Sequence, residues 1–308
     1  MGEDLQNMLA NTLAESCRAY IRHGAEHLFA KNPTRDDLLQ AILNMQASME
    51  VAAKLYQLKQ SGWKSILIEK HHKESEAKLI TKLNTGQLRT TQYEDSKKHL
   101  IKHQDLEKVD EELLAKLQGY RNSIAHVGLP VLPPGINDEI KKLMVRVLNA
   151  LAWAALAGHW KELFLENRSS IVLGSALFAK VKADQSYVNE AIDLAHEKSS
   201  TVRKCPECWE PTWGEVNFGE SAILCFCCGY GMGEMMAQFA KCPVCRDGDN
   251  LFYDAANADN MNPVGAMCLD CRQKMDVIIC PECGGVVLNM PRWVCEDCGF
   301  KPPVPGKV

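Results

Sequence analysis

Cys205-Pro206-Glu207-Cys208-Trp209 opens, and Cys295-Glu296-Asp297-Cys298-Gly299 closes, a run of six Cys-x-x-Cys pairs that decides how this chain is organised. Between them lie Cys225/Cys228, Cys242/Cys245, Cys268/Cys271 and Cys280/Cys283. Taken two at a time, the pairs are separated by 16, 22 and 11 residues, which makes an internal repeat of three units. A Cys-x-x-Cys turn aims two thiolates at one point about 2.3 Å from each sulfur, and a second turn on a facing hairpin completes a tetrahedron. Pro206, Pro243 and Pro281 follow the first cysteine of a pair and suit a tight knuckle. Gly229, Gly284 and Gly299 follow the second and suit the turn out of it.

The spacing therefore predicts three zinc ribbons, over 201–231, 239–275 and 277–303, each with one zinc ion on four cysteines. Taken in chain order, the sets are Cys205, Cys208, Cys225 and Cys228; Cys242, Cys245, Cys268 and Cys271; and Cys280, Cys283, Cys295 and Cys298. Spacing leaves crossed pairing open, and it leaves iron open as the metal. Redox use of the pairs would need βαβ surroundings, which this stretch lacks. A four-thiolate site has no open position, so the metal is expected to be structural, standing in for the core that units of ~30 residues cannot build. Cys227 is left over and is expected to be a buried small residue, with substitution for a neighbouring cysteine as ligand left open. Trp209, Trp213, Phe226, Trp293 and Phe300 are expected to pack around the knuckles more than to stack on bases.

Outward from this run the texture changes. The chain has 308 residues, long for one hydrophobic core, and 46% of them are apolar, ordinary for a folded protein. Its net charge of −4 argues against indiscriminate nucleic-acid binding. The charge is uneven, with 9 Lys+Arg against 14 Asp+Glu from Thr201 onward, and 26 against 25 before it. All nine histidines precede Thr201, so the metal sites of the acidic tail are all-sulfur. Glu3 and Asp4 stand where a signal peptide would be basic and then apolar. The most apolar stretch, 145–158, is too short to span a bilayer. A cytoplasmic location is expected, with thiols reduced and no membrane contact.

Residues 1–200 read as helix throughout, with 170–199 as extra helices and Ser199-Ser200-Thr201 as the boundary. Thr34-Arg35-Asp36-Asp37 resembles a capping box, and Leu38, Ile42, Met45, Met49, Ala52 and Tyr56 follow at helical spacing up to Gly62. Residues 69–112, rich in Lys, Glu and His, read as short, well-solvated helices broken near Asn84-Thr85-Gly86. A long helix over 106–127 carries the stripe Leu113, Leu117, Tyr120, Ile124 and Val127, with Gly128 as its cap. Past Pro130, Pro133 and Pro134 comes an apolar helix over 138–166, then helices over 170–182 and 186–199.

The long helix ends Tyr120-Arg121-Asn122-Ser123-Ile124-Ala125-His126-Val127-Gly128. At ~100° per residue, with Leu113 at zero, the apolar stripe spans roughly −40° to +40°. Arg121 falls near ~80°, and Asn122 and His126 near ~180° and ~220°, away from that stripe. Arg121-Asn122 with His126 four residues later, late in a helix of an all-helical domain, resembles the Rx4–6H motif of the HEPN superfamily. Gln46-Ala47-Ser48-Met49-Glu50-Val51-Ala52-Ala53-Lys54-Leu55-Tyr56 resembles the second helix of such domains. The resemblance covers about 10–165; it does not extend to 69–105, to the helices after Arg168 or to the ribbons.

It implies an all-α HEPN-like bundle, to which the small β-rich ribbons read from the cysteine spacing are an addition, and a metal-independent endoribonuclease acting in antiviral defence or as a regulated toxin. His126 would move protons, Arg121 would hold the phosphate, and Asn122 would position either. Arg121 points ~140° away from His126, so one helix cannot surround a phosphate. HEPN nucleases line one cleft with two motifs, so the resemblance implies a homodimer acting on an RNA substrate. The ribbons would then select RNA or dock a protein regulator. A non-catalytic HEPN-like dimeric scaffold, whose ribbons recruit protein or nucleic-acid partners, is the competing expectation. Glu50 and Lys54 are expected to form a helix-surface ion pair. His71-His72, His99/His103 and His23/His27 are expected on solvated faces more than as metal ligands, and Cys17 as a packed residue.

Overall fold

The computed structural model describes residues 5–104, 108–127, 135–156, 169–217, 221–233, 236–245, 248–255, 263–280, 282–283, 285–288, 294–295 and 298–300. The chain forms two compact units, 1–191 and 192–308. The first is helical and the second is β-rich.

The helical unit is built on α2 (Arg35–Ser61), which packs against α1 (Leu5–Leu28), α4 (Tyr93–Gln104), α5 (Lys108–Val127) and α6 (Ile136–Leu156). Surrounded in this way, α2 buries residues on nearly every face, among them the expected Leu38, Ile42, Met45, Met49, Ala52 and Tyr56. Gly24 lets α1 approach closely, because a Cβ there would lie 3.3 Å from Ala41 O and from Asn44 Cβ. The expected start of α2 is present: Thr34 Oγ1 accepts from the Asp37 N–H, and Asp37 accepts from the Thr34 N–H. Gly62, at φ 77°, follows the last turn.

Most side chains of 69–92 are solvated as expected, but His71 and Leu79 are buried. A short 3-10 helix (Trp63–Ile66), a second (Glu69–His71) and α3 (Glu76–Asn84) put Ile66, Leu67 and Leu79 into one cluster with Leu5, Leu9, Leu55 and Leu58. His71 is 1% exposed. Its Nδ1 lies 2.9 Å from Glu74, and its Nε2 accepts from the Arg89 N–H at 3.4 Å. Lys82 donates to Glu74 at 2.6 Å, and Lys82 and His71 hold that carboxyl down at about 2. His71, Glu74 and Lys82 are thus spent on one another, which lets His71 be buried. The break after Asn84 occurs as expected, with Gly86 at φ 68°.

The Glu50–Lys54 pair forms at 2.7 Å, but Lys54 is buried, because α2 has no free surface there. The expected helix over 170–182 is split at Gly174 (φ 81°) into α7 (Ser169–Leu173) and α8 (Ser175–Lys182). Arg146 on α6 pairs with Glu190 on α9 (Gln185–Lys198) at 2.7 Å. Gly128, the three prolines after it and residues 157–166 lie outside the described residues. No helix among the described residues is long and apolar enough to cross a membrane.

In the second unit, β1 (Val202–Arg203), β2 (Trp213–Asn217), β3 (Ser221–Cys225) and β4 (Gly231–Gly233) form an antiparallel sheet in chain order. A second antiparallel sheet holds β5 (Ala237–Ala240), β6 (Leu251–Asp254), β7 (Val264–Cys268), β8 (Lys274–Ile279) and β9 (Val286–Leu288). β9 pairs with β8, so the segment that carries the third cysteine set shares a sheet with the second. Gly214 leaves room for Ser199, whose Oγ accepts from the Glu215 N–H at 2.9 Å; a Cβ at 214 would come within 2.7 Å of Ser199 Cβ. Trp213 is fully buried against Phe252 and Phe239, with ring centroids 5.1 and 5.9 Å away, and so ties the two sheets together.

The Thr34 hydroxyl, then His27 and then the Thr34 N–H hold the Asp37 carboxyl at about 2. Its folded value lies below the ordinary ~3.9 of an unfolded chain, so the stability it gives is complete above about pH 4 and is lost as pH falls toward 2. Acid melting of Asp37→Asn should lack this part of the pH dependence, and Thr34→Ala should lose about 1 kcal/mol. An Asp37→Asn profile that parallels wild type between pH 4 and 2 would count against this origin.

Candidate metal centres

The six Cys-x-x-Cys turns bring their sulfurs together in three groups: Cys205, Cys208, Cys225 and Cys228; Cys242, Cys245, Cys268 and Cys271; Cys280, Cys283, Cys295 and Cys298. Within each group all four sulfurs lie within 4.8 Å of one another. Close approaches join the first cysteine of one turn to the second of the other. Cys205–Cys228 is 3.7 Å, Cys242–Cys271 3.7 Å and Cys280–Cys298 3.6 Å. Cys208–Cys225 is 3.6 Å, Cys245–Cys268 3.6 Å and Cys283–Cys295 3.4 Å. A tetrahedron of thiolates about 2.3 Å from a central ion has edges of about 3.8 Å, whereas a disulfide needs about 2.05 Å. Each group thus has the dimensions of a four-sulfur metal site.

The backbone explains why the sulfurs converge. In five of the turns the first cysteine's N–H donates to the carbonyl five residues on: Cys205 to Glu210, Cys225 to Tyr230, Cys268 to Gln273, Cys280 to Gly285 and Cys295 to Phe300. In four of these the residue after the second cysteine donates back to the first cysteine's carbonyl, from Trp209, Gly229, Arg272 and Gly299. Those four residues share a left-handed backbone, with φ of 68°, 72°, 62° and 75°. Amides also donate to sulfur: Glu207 to Cys205, Cys228 to Cys225 and Cys271 to Cys268, at 3.3 to 3.5 Å. Such donors spread the negative charge of a thiolate cluster and orient its ligands.

The sequence pointed to glycine at this turn position, yet Trp209 and Arg272 occupy it too. The Arg272 guanidinium lies 4.5 Å from the Trp209 ring centroid, so the two non-glycine positions stack on each other. Thr212, fully buried, lies with its hydroxyl 3.0 Å from the Cys225 sulfur, where it can donate to a thiolate. Nothing in the local spacing marks Thr212, because a Pro-Thr-Trp sequence carries no metal-site signature.

The groups differ in exposure. Every sulfur-bearing residue of the first is buried, whereas Cys271, Cys283 and Cys298 in the other two are exposed. Cys227 is buried and lies outside the four-sulfur groups. Trp213 and Phe226 are buried too, and Phe300 packs against Cys280, Val287 and Cys295; Trp293, Pro281 and Gly284 lie outside the described residues.

No histidine takes part in a metal-type grouping among the described residues. His27 lies 2.7 Å from Asp37, His23 3.4 Å from Glu26, and His72 2.9 Å from the Leu67 carbonyl. The side chains of His99 and His103 lie outside the described residues. Burial pushes the Cys17 thiol up to about 12, and it is directed at the Ser48 carbonyl.

On α5, Leu117 is buried and Tyr120 and Ile124 are half-buried, while Arg121 and Asn122 are exposed. Arg121 donates to Asn122 Oδ1 at 3.1 Å, and no carboxylate pairs with it among the described residues. Tyr120 and Lys116 both reach Glu139 on α6, and Gln118 joins Glu94 on α4. The backbone of His126 is the penultimate residue of α5; its side chain, with those of Leu113 and Val127, lies outside the described residues.

No protein-family model, curated protein or solved structure matches the chain.

Metal analysis of the folded protein should find three ions per chain, one for each cysteine group, and the protein should unfold its C-terminal unit when they are removed. A thiol-reactive chelation assay should release two ions quickly, from the groups with exposed sulfurs, and the third slowly, from the buried one. Release of all three at one rate would contradict the burial gradient.

Proposed function

We propose that the twelve grouped cysteines hold zinc, and that the helical unit is a HEPN-type endoribonuclease whose ribbons recognise the RNA or a regulatory protein. Zinc suits an all-thiolate tetrahedron that needs no redox change and no open position. The ion then takes no part in cleavage; it holds the ribbons folded.

The observation that carries the cleavage reading is the state of Arg121 and Asn122. Both are exposed, they are joined to each other, and no carboxylate neutralises the guanidinium among the described residues. An arginine held for structure would more often be ion-paired. The apolar stripe of α5 is fixed through Leu117 and Tyr120, and Gln118, one turn before Asn122, joins Glu94 on α4, while Arg121 and Asn122 themselves stay exposed to a ligand.

On this reading Arg121 holds a phosphate through paired N–H donors. His126 takes the proton from the ribose 2′-hydroxyl as that oxygen attacks phosphorus, and a second His126, from another copy of the chain, gives a proton to the departing 5′-oxygen. The bond formed is O2′–P and the bond broken is P–O5′. The products are a 2′,3′-cyclic phosphate and a 5′-hydroxyl. A homodimer is needed because one helix cannot present Arg121 and His126 to the same phosphate from both sides. Defence against foreign RNA and regulated toxicity both fit such an activity.

Wild type should cleave a mixed RNA pool during brief EDTA treatment that leaves the structural zinc in place, giving cyclic-phosphate ends. His126→Ala and Arg121→Ala should each lose at least about 100-fold in rate while still dimerising. Dimeric, folded variants that cleave like wild type would sink the nuclease reading. A wild type that dimerises and does not cleave would point to the scaffold alternative, in which the same helices pair and the ribbons recruit partners.

A further inference from the structure

The face of the second sheet that does not build its core is partly open. Leu251, Tyr253, Val264, Ala266, Cys268 and Val277 form that core on one side. Alternation puts Phe252, Gly265, Met267, Lys274 and Asp276 on the other. The register sets Phe252 beside Met267 and Met267 beside Lys274 in one row, and Gly265 beside Asp276 in the next. Trp209, from the first ribbon's knuckle, walls the same space, which forms a groove of about 660 Å³. That volume lies in the range of ligand sites. Gly265 keeps the floor open, since a Cβ there would meet nothing within 4 Å.

We propose that this groove is a docking site for a basic segment of a partner protein, taking one Arg or Lys side chain. The aliphatic stem of such a side chain would lie on Phe252 and Met267 beside the Trp209 ring, and its cationic head would meet Asp276. Charge decides between this occupant and a nucleic acid. Trp209 directly follows Cys208 and Arg272 directly follows Cys271, so two thiolate clusters flank the groove. With zinc bound, each carries roughly −2. Arg272 is already stacked on Trp209, Arg203 lies over Phe239 and near Glu215, and among the described lining residues Lys274 is the one that adds a positive charge within the groove. From Thr201 onward acidic residues outnumber basic ones by 14 to 9 even before the clusters are counted. A phosphate backbone would be repelled by this field and a basic peptide attracted. The groove's role does not depend on the cleavage chemistry of the helical unit.

The test uses the full-length, zinc-loaded chain and fluorescence anisotropy of labelled hexapeptides Gly-Leu-Arg-Leu-Arg-Gly and Gly-Leu-Glu-Leu-Glu-Gly, with a labelled twelve-nucleotide oligo-A as the competing class. The Arg peptide should bind saturably below about 1 mM and at least about tenfold tighter than the Glu peptide. Gly265→Leu fills the groove without changing charge, and Asp276→Asn removes the carboxylate. Each should weaken the Arg peptide about tenfold or more, with metal content unchanged. Gly265→Leu that binds like wild type would reduce the attraction to a diffuse acidic surface and overturn the site. So would equal binding of the two peptides, or no saturable binding. Oligo-A binding that Gly265→Leu abolishes would make the groove a nucleic-acid site and overturn the assignment to a protein partner.

Discussion

Convergence of four sulfurs at each of three points is the constraint on which the C-terminal unit depends. Its strands are three to six residues long apart from the two-residue β1, and its apolar clusters are small. Units of this size do not bury enough surface to offset the entropy of ordering their chain. The knuckles solve the problem locally. Four of them fix two cysteines through a pair of backbone hydrogen bonds and a left-handed residue, and two knuckles then define a point to which a metal ion can bind all four sulfurs. The strands follow from that: β2 leaves the first group and β3 returns to it at Cys225, while β7 runs into Cys268 and β8 into Cys280.

The helical unit solves its folding by the opposite route. α2 gives up nearly all its surface to its neighbours, and the approach of α1 is close enough to require Gly24. The cost of this arrangement is visible at Lys54, a buried ammonium that needs Glu50 beside it at 2.7 Å. Removing Glu50 alone would strand that charge, so the pair is best seen as a condition of enclosing α2.

Local chemistry made much of this legible in the sequence. The Thr34 capping box, the Gly62 and Gly86 breaks and the stripe from Leu38 to Tyr56 are each set by residues within a few positions, and each was readable. The cysteine groups were readable for the same reason, since the repeat sets which residues can converge; only the chain-order grouping needed three dimensions. What escaped was tertiary. Residues 69–92 are rich in Lys, Glu and His and are mostly solvated as that composition suggests, but His71, Glu74 and Lys82 satisfy one another, so that His71 and Leu79 are buried. Burial of Lys54 depends on helices far away in the chain. Thr212 meets Cys225 only because the knuckles fold back, and no spacing rule encodes that. In the α5 motif, periodicity set Arg121 and Asn122 off the core stripe, and both are exposed; the contact between them was not foreseen.

The two non-glycine knuckle residues bear on what the ribbons can do. A left-handed backbone costs a side-chain-bearing residue about 1–2 kcal/mol, so Trp209 and Arg272 need a compensating interaction. Their stacking supplies about 0.5–2 kcal/mol and joins the first knuckle to the second ribbon. Trp213 makes a second join through Phe239 and Phe252, and Lys204 a third through Asp270 at 3.2 Å. The third cysteine group is bound in by β9 on β8. Three independent beads on a string would expose three small, separate surfaces. These joins instead make one surface from several ribbons, and the groove walled by Trp209 and floored by β6, β7 and β8 is a product of that fusion. On the docking proposal, a partner in the groove would meet the assembled unit, and loss of one metal site would reach that contact through the packing of its neighbours.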